Sequence, residues 1–286
     1  MRKIVIDESK CSGCMLCAHA CPLGNFEPTE DGKVRPADKL ACLECGHCVA
    51  VCPMDAVTHA ALDMMEFEPV DEDAKPDCEK FLKFLKMRRS RREFKDEPVP
   101  REVIEKLLQA AVHAPSTLNK QTVEYTIIAD RAVIEELSDQ TLGFLIHMKS
   151  MMQGPLGKLV FRSSARAVHD EISRLLPLVD CIIGADKDML LYDAPCVILL
   201  HAPKTDFYAQ SDATFNAGNI LLAAETLGLG ACVVGLVTEP MNRSKAIKAL
   251  ARIPEDHRVF VTIALGYPKF KYKRTVPKKP AKVTYV

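Results

Sequence analysis

Apolar residues recur with helical spacing over residues 78–87, where Phe81, Phe84 and Leu85, flanked by Leu82, fall on one face. A second helix is predicted from Pro100 to about Ala114, with Val103, Ile104, Leu107, Leu108, Ala111 and Val112 at three- and four-residue intervals. Pro100 suits its first turn, because a proline there gives up no helical hydrogen bond. Residues 123–128 read as a strand and 131–148 as a helix, after which the pattern weakens over 149–190. Further on, 195–200 has the continuous apolar character of a buried strand, and 212–227 is a largely apolar helix stopped at Gly228. Residues 232–236 are a short strand, 241–251 a helix and 258–265 a last strand before Gly266-Tyr267-Pro268. Helices and strands intermixed in this way predict an α+β layer fold.

Composition adds room for a second module. A chain of 286 residues with 48% hydrophobic content can bury one large core and still carry a small accessory domain. Its 38 basic and 38 acidic residues balance, so nothing at whole-chain level points to a nucleic-acid or anionic-membrane partner. The first residues lack the apolar stretch of a secretory signal, and no run of uncharged apolar residues is long enough for a membrane span. The expectation is a soluble, cytoplasmic protein. Residues 66–77 are acidic and punctuated by Pro69 and Pro76, the composition of a linker. They suggest a head at 1–64, a linker at 65–78 and a body at 79–286.

The head owes its character to cysteine. Eight of the twelve cysteines lie in the first 52 residues, in two runs of one pattern: Cys11-x2-Cys14-x2-Cys17-x3-Cys21-Pro22 and Cys42-x2-Cys45-x2-Cys48-x3-Cys52-Pro53. A zinc site normally closes on two Cys-x2-Cys pairs and does not call for triplets followed by Cys-Pro. Three thiolates spaced two residues apart on a tight loop can reach three iron corners of a cubane cluster, and the fourth corner needs a ligand from elsewhere. Met15, Leu16, Leu43, Val49 and Val51 interleave the thiols, as a shell that limits solvent requires. The other cysteines, Cys78, Cys181, Cys196 and Cys232, are scattered and read as buried apolar thiols without a role. His19 and His47 lie inside the runs and are not needed as ligands.

This head resembles a bacterial two-cluster ferredoxin over about residues 1–60, with all eight cysteines and both prolines in place. In that pattern the fourth cysteine of each run serves the other cluster. The resemblance therefore implies two 4Fe-4S clusters, one on Cys11, Cys14, Cys17 and Cys52, the other on Cys42, Cys45, Cys48 and Cys21.

Four segments of the body, taken together, resemble the FMN-dependent nitroreductases. The first is Arg88-Arg89-Ser90-Arg91-Arg92-Glu93-Phe94-Lys95, followed by Pro98-Val99-Pro100. By resemblance, Arg88, Arg89, Ser90 and Arg92 hold the flavin phosphate, ribityl chain and pyrimidine edge. The chemistry agrees, since Arg offers a fixed fork of donors to a phosphate and Ser a compact hydroxyl. The second segment, Ala114 to Gln121, is similar to the family's Pro-Ser-x-x-Asn-x-Gln loop and assigns Pro115, Ser116, Asn119 and Gln121 to the flavin's polar edge. Here Thr122-Val123 replaces the family's Pro-Trp and the chain has no Trp, so any aromatic wall must come from Phe or Tyr. The third is the turn Gly228-Leu229-Gly230, where glycine permits close backbone approach; a plain helix stop leading into a strand is the alternative. The fourth is Gly266-Tyr267-Pro268 with Lys271, Lys273 and Arg274 downstream, of which Arg274 and then Lys273 rank first as completing the phosphate site.

The fold so implied is a small two-cluster ferredoxin domain followed by a nitroreductase-like three-layer mixed sheet and helix domain. The function implied is transfer of electrons from an external donor protein such as ferredoxin, through the clusters to FMN, and on to a small acceptor: a nitroaromatic, quinone or activated alkene. Two alternatives stay open: an NAD(P)H-driven flavin reductase passing electrons outward through the clusters, and an electron-transfer module with no small substrate. The resemblance also implies a homodimer with FMN near the subunit interface. The alternating tail 281–286 suits an added strand, and residues 141–190 lie where the family varies its pocket cover.

Overall fold

The computed structural model describes residues 3–37, 41–154 and 177–286. The chain forms two compact units, Met1–Pro76 with Ser116–Lys120, and Asp77–Pro115 with Gln121–Val286. The first unit is built on two short antiparallel pairs. Strand β1 (Ile4–Ile6) pairs with β4 (Val57–His59), and β2 (Phe26–Pro28) with β3 (Val34–Pro36). Two one-turn helices, Leu16–Ala20 and His47–Ala50, each carry the third cysteine of a run. Ile4, Phe26, Val34 and Val57 make the apolar core together with Cys17 and Cys48. So few apolar side chains give little hydrophobic stabilisation to a unit of this size. The acidic stretch after β4 contains two 3-10 turns, Met64–Glu66 and Glu72–Ala74, capped by Asp63 and Asp71.

The second unit has an α+β architecture in three layers. Its sheet has the order β5 (Glu124–Ile128), β6 (Cys196–Pro203), β8 (His257–Gly266), β7 (Gly230–Val233), and these strands all pair antiparallel. An isolated bridge, Ser90 to Ala231, is parallel. Strand β6 is buried on both faces and alternates between two cores. Val197 and Leu199 pack with Ile134, Leu137, Val237 and Met241, from helices Arg131–Gln153 and Gly235–Arg243. Cys196, Ile198 and Leu200 pack on the opposite face with Leu107, Ala111, Ala217 and Ile220, from helices Arg101–Val112 and Ala209–Thr226. A register shift at Leu200/His201 leaves Phe260 as the extra residue of β8, so Val259 joins the first core and Val261 the second.

Several sequence expectations need correction. The helix expected over 241–251 is two helices, Gly235–Arg243 and Lys245–Leu250, broken at Ser244, whose hydroxyl accepts from the Ile247 N–H and caps the second. Gly235 and Leu236, expected in a strand, therefore open a helix. Cys196 and Cys232 are buried as expected, but Cys78 and Cys181 are exposed. The Cys78–Met87 helix forms with no buried residue, and Phe81, Leu82 and Leu85 stay exposed in the single chain. The tail 281–286, expected as an added strand on a partner subunit, is exposed in the single chain. Among the described residues, no helix is long and apolar enough to cross a membrane.

Candidate cofactor site

In the first unit each cysteine run coils through left-handed backbone at matching places. Gly13 and Met15 in the first run have φ of 72° and 61°, and Glu44 and Gly46 in the second have 54° and 72°. Two such residues per run curl the loop so that its thiols converge. The turn after each Cys-Pro repeats too, with Gly24 and Asp55 at φ of 63° and 48°. It aims a backbone N–H at the fourth sulfur: Asn25 N donates to Cys21 Sγ at 3.4 Å and Ala56 N to Cys52 Sγ at 3.3 Å. The thiols gather across the two runs. Cys11, Cys14, Cys17 and Cys52 line one cavity with Ile6, Val34 and Val57, and Cys21, Cys42, Cys45 and Cys48 line another with Ile4, Phe26 and His59. Burial pushes the Cys48 thiol up to about 11. Four thiols around a small apolar cavity, with N–H groups pointing at sulfur, are a donor set that fits an iron-sulfur cluster.

His59 escaped the sequence reading because no motif marks it. Strand alternation is the one signal: Val57 and His59 both point inward on β4 while Thr58 points out. Its Nε2 lies 3.4 Å from Cys42 Sγ, and its Nδ1 accepts from the Ala61 N–H at 3.2 Å.

In the second unit the basic segment runs extended beside β7, tied by the Ser90–Ala231 bridge and by Arg91 N donating to Ala231 O at 3.1 Å. Extended backbone alternates its side chains, and that splits the motif. Arg88, Ser90 and Arg92 share a face around the Cys232 thiol. Burial pushes that thiol up, while Arg92, Ser90 and Arg88 oppose the shift. Arg92 also reaches Tyr192, its guanidinium 5.8 Å from the ring centre. Arg91 turns the other way and is buried, stacked 4.2 Å from the Tyr272 ring centre, with Nη1 donating to Phe270 O at 3.2 Å. Its Nε has no hydrogen-bond partner among the described residues. Arg91, Gly228, Leu229, Lys271, Lys273 and Arg274 line a cleft of about 430 Å³. The late cations are therefore grouped with Arg91 and not with Arg88, Ser90 or Arg92. An orphaned buried guanidinium N–H beside three further cations fits an anion such as a phosphate.

The Gly228-Leu229-Gly230 turn is, locally, a helix stop. Gly228 sits at φ 72° past the Ala209–Thr226 helix, and Leu229 N returns to Ala224 O at 2.8 Å. What approaches Gly230 closely is the Arg91 side chain. In the 115–121 loop, Leu118, Asn119 and Gln121 have positive φ. Ser116–Lys120 belong to the first compact unit, where Asn119 Nδ2 donates to Leu43 O at 3.2 Å and Glu44 O at 3.0 Å. Pro115 and Gln121, both exposed, belong to the second unit. A larger cavity of about 510 Å³ lies between the Arg131–Gln153 helix and residues 182–194. The pocket cover expected over 141–190 extends into 155–176, which lie outside the described residues.

Residues 3–53 match the 4Fe-4S dicluster domain, and residues 85–267 match the nitroreductase family. A protein of Archaeoglobus fulgidus, provisionally named NADH dehydrogenase/NAD(P)H nitroreductase, is 30% identical over 67% of this chain and 87% of its own length. In fold, the chain is similar to an FMN-dependent nitroreductase of Clostridium difficile R20291, with TM-score 0.54, 24% identity and coverage of 73% of this chain and 100% of that one. A nitroreductase with bound FMN from Desulfitobacterium hafniense gives the same TM-score, 0.54, and 24% identity over 72% of this chain and 97% of its own. The chain therefore belongs to the nitroreductase family, as an oxidoreductase that carries a 4Fe-4S dicluster domain ahead of its nitroreductase region.

Proposed function

We propose that the protein is an FMN-dependent oxidoreductase in which two 4Fe-4S clusters pass electrons from an external donor to FMN, for reduction of a small acceptor of the nitroaromatic, quinone or activated-alkene type. The observation that carries this reading is the presence, in one nitroreductase-family chain, of two cavities each lined by four thiols. In this reading Cys11, Cys14, Cys17 and Cys52 ligate one cluster, and Cys42, Cys45, Cys48 and Cys21 the other. Bound FMN would supply the exchange between two-electron and one-electron chemistry, since a cluster carries one electron at a time.

Arg88, Arg89, Ser90 and Arg92 would hold the phosphate, ribityl chain and pyrimidine edge, whereas Lys273 and Arg274, expected to complete that phosphate site, line the cleft on the Arg91 side. Pro115, Ser116, Asn119 and Gln121 would flank the ring, and Gly228, Leu229 and Gly230 would present backbone to it. The orphaned Arg91 Nε and its basic cleft support an anion in this region and add Arg91 to the candidate set. None of these side chains needs to act as a nucleophile: the protein's work is to fix the cofactor and stabilise developing negative charge with aimed donors. A homodimer with FMN near the subunit interface belongs to the same reading, and the exposed apolar face of Phe81, Leu82 and Leu85 supports it.

A second reading takes NAD(P)H as the donor, as the name of the Archaeoglobus relative has it, with electrons then leaving through the clusters. One experiment separates the two. The protein is purified without oxygen, its iron and released flavin are measured, and NADH, NADPH or reduced ferredoxin is added separately while the flavin absorbance is followed. About eight irons per chain, as two four-iron clusters require, with bleaching by ferredoxin alone is the expected result. Bleaching by a nicotinamide would reverse the direction, and absence of flavin would overturn the FMN assignment.

A further inference from the structure

The two halves of the first unit repeat one another closely, but the donors around their sulfurs differ: Ser12 hydrogen-bonds Cys14 in the first run, and Glu44 N donates to Cys42 Sγ at 3.4 Å in the second. Left-handed residues, Cys-Pro turns and the N–H bonds to Cys21 and Cys52 occur in matched pairs. His59, seven residues beyond Cys52, has no counterpart: seven residues beyond Cys21 stands Pro28, whose ring has no donor. His59 is 2% exposed and held in place on β4 opposite Ile4. The backbone selects its tautomer. Ala61 N–H donates to Nδ1 at 3.2 Å, so in the neutral ring the proton resides on Nε2, which points at Cys42 Sγ from 3.4 Å. The imidazole is therefore a fixed N–H donor to one sulfur of the Cys21, Cys42, Cys45, Cys48 set.

A hydrogen bond to a ligating thiolate draws charge from the sulfur and favours the more negative, reduced cluster. We infer that His59 is a positioning residue that raises the reduction potential of the cluster held by Cys21, Cys42, Cys45 and Cys48, drawing toward it an electron that enters the pair. The inference rests on the cluster reading above. It gives that cluster a side-chain N–H donor that β4 supplies from outside the cysteine loops.

The test uses the full chain, purified without oxygen as wild type, His59→Phe and His59→Gln, with iron counted and each cluster's potential obtained by redox titration followed by electron paramagnetic resonance. Phenylalanine keeps the ring volume and removes the donor, whereas glutamine keeps an N–H. In His59→Phe one cluster is expected to become harder to reduce, by up to about tenfold in its one-electron equilibrium (59 mV per tenfold), with the other unmoved. His59→Gln should recover part of the difference. Wild-type protein with far fewer than eight irons would overturn the cluster reading itself. Full iron with both potentials unchanged in His59→Phe, or with equal shifts in both variants, would overturn the role of His59 alone. Should His59→Phe fail to hold its clusters, the glutamine variant decides: one potential lowered supports the inference, and none lowered sinks it.

Discussion

A β-carbon at Gly230 would lie 2.7 Å from both Cβ and Cγ of Arg91. Those atoms sit at the root of the Arg91 side chain, and its backbone is held by the bond from Arg91 N to Ala231 O, so the arginine has no easy way to yield. Gly230→Ala is accordingly expected to destabilise the protein by roughly 1–3 kcal/mol, the usual cost of overpacking. Gly228→Ala meets no neighbour but must hold φ 72°, and about 1 kcal/mol is expected there from the backbone alone. Thermal unfolding followed by circular dichroism checks both, and a Gly230→Ala protein as stable as wild type would contradict the packing.

The four cysteines outside the runs should differ sharply in reactivity. Cys78 and Cys181 are exposed, while burial pushes the Cys196 thiol up to about 12 and also raises Cys232. Alkylation of the native, cluster-loaded protein by iodoacetamide should label Cys78 and Cys181 and spare the other pair until denaturant is added, because the thiolate is the nucleophile. Peptide mass spectrometry reads the result.

Acid should weaken the second unit through His201. This imidazole is 2% exposed, bonded to Thr126 Oγ1 and, at 2.9 Å, to His257 Nδ1, and burial lowers its pKa, with His257 adding to the effect. The fold prefers the neutral ring, so below the ordinary value of 6.5 the unfolded chain binds the extra proton and stability falls with pH until the folded pKa is passed. The slope in that window should approach about 1.4 kcal/mol per pH unit for one proton. Melting curves between pH 7.5 and 5 on wild type and His201→Gln, spanning roughly that histidine range, should show a shallower dependence in the variant.

Removal of one arginine from the shared face should loosen the flavin. A charge-assisted hydrogen bond contributes about 1.5–3 kcal/mol, so Arg88→Ala or Arg92→Ala is expected to weaken FMN binding by about 10- to 100-fold. Arg91→Ala tests the basic cleft in the same way. Equilibrium dialysis of FMN against the flavin-stripped protein measures each, and unchanged affinity in all three would move the flavin site elsewhere.

Much of the fold was legible because it is written in short-range periodicity. The helix Arg101–Val112 and strands β5, β6 and β8 follow from apolar spacing within each segment. The break at Ser244 was obscured because no Gly or Pro marks a stop within 241–251, although the serine is itself a cap signal. The exposure of Cys78 and Cys181 had no local sign, since a thiol's burial depends on what packs over it.

The cysteine runs show what sequence alone determined: three thiols converge because a loop of that spacing turns on itself, a property of neighbouring residues. Tertiary structure decided the rest. Arg88, Ser90 and Arg92 share a face, with Arg91 on the other, because the segment is held extended against β7, far along the chain. His59 meets Cys42 because β4 pairs with β1 and turns its inward side chains toward the thiols. Local patterns carry the period of a helix or strand, whereas which face meets which partner is chosen by contacts between segments that only the folded chain brings together.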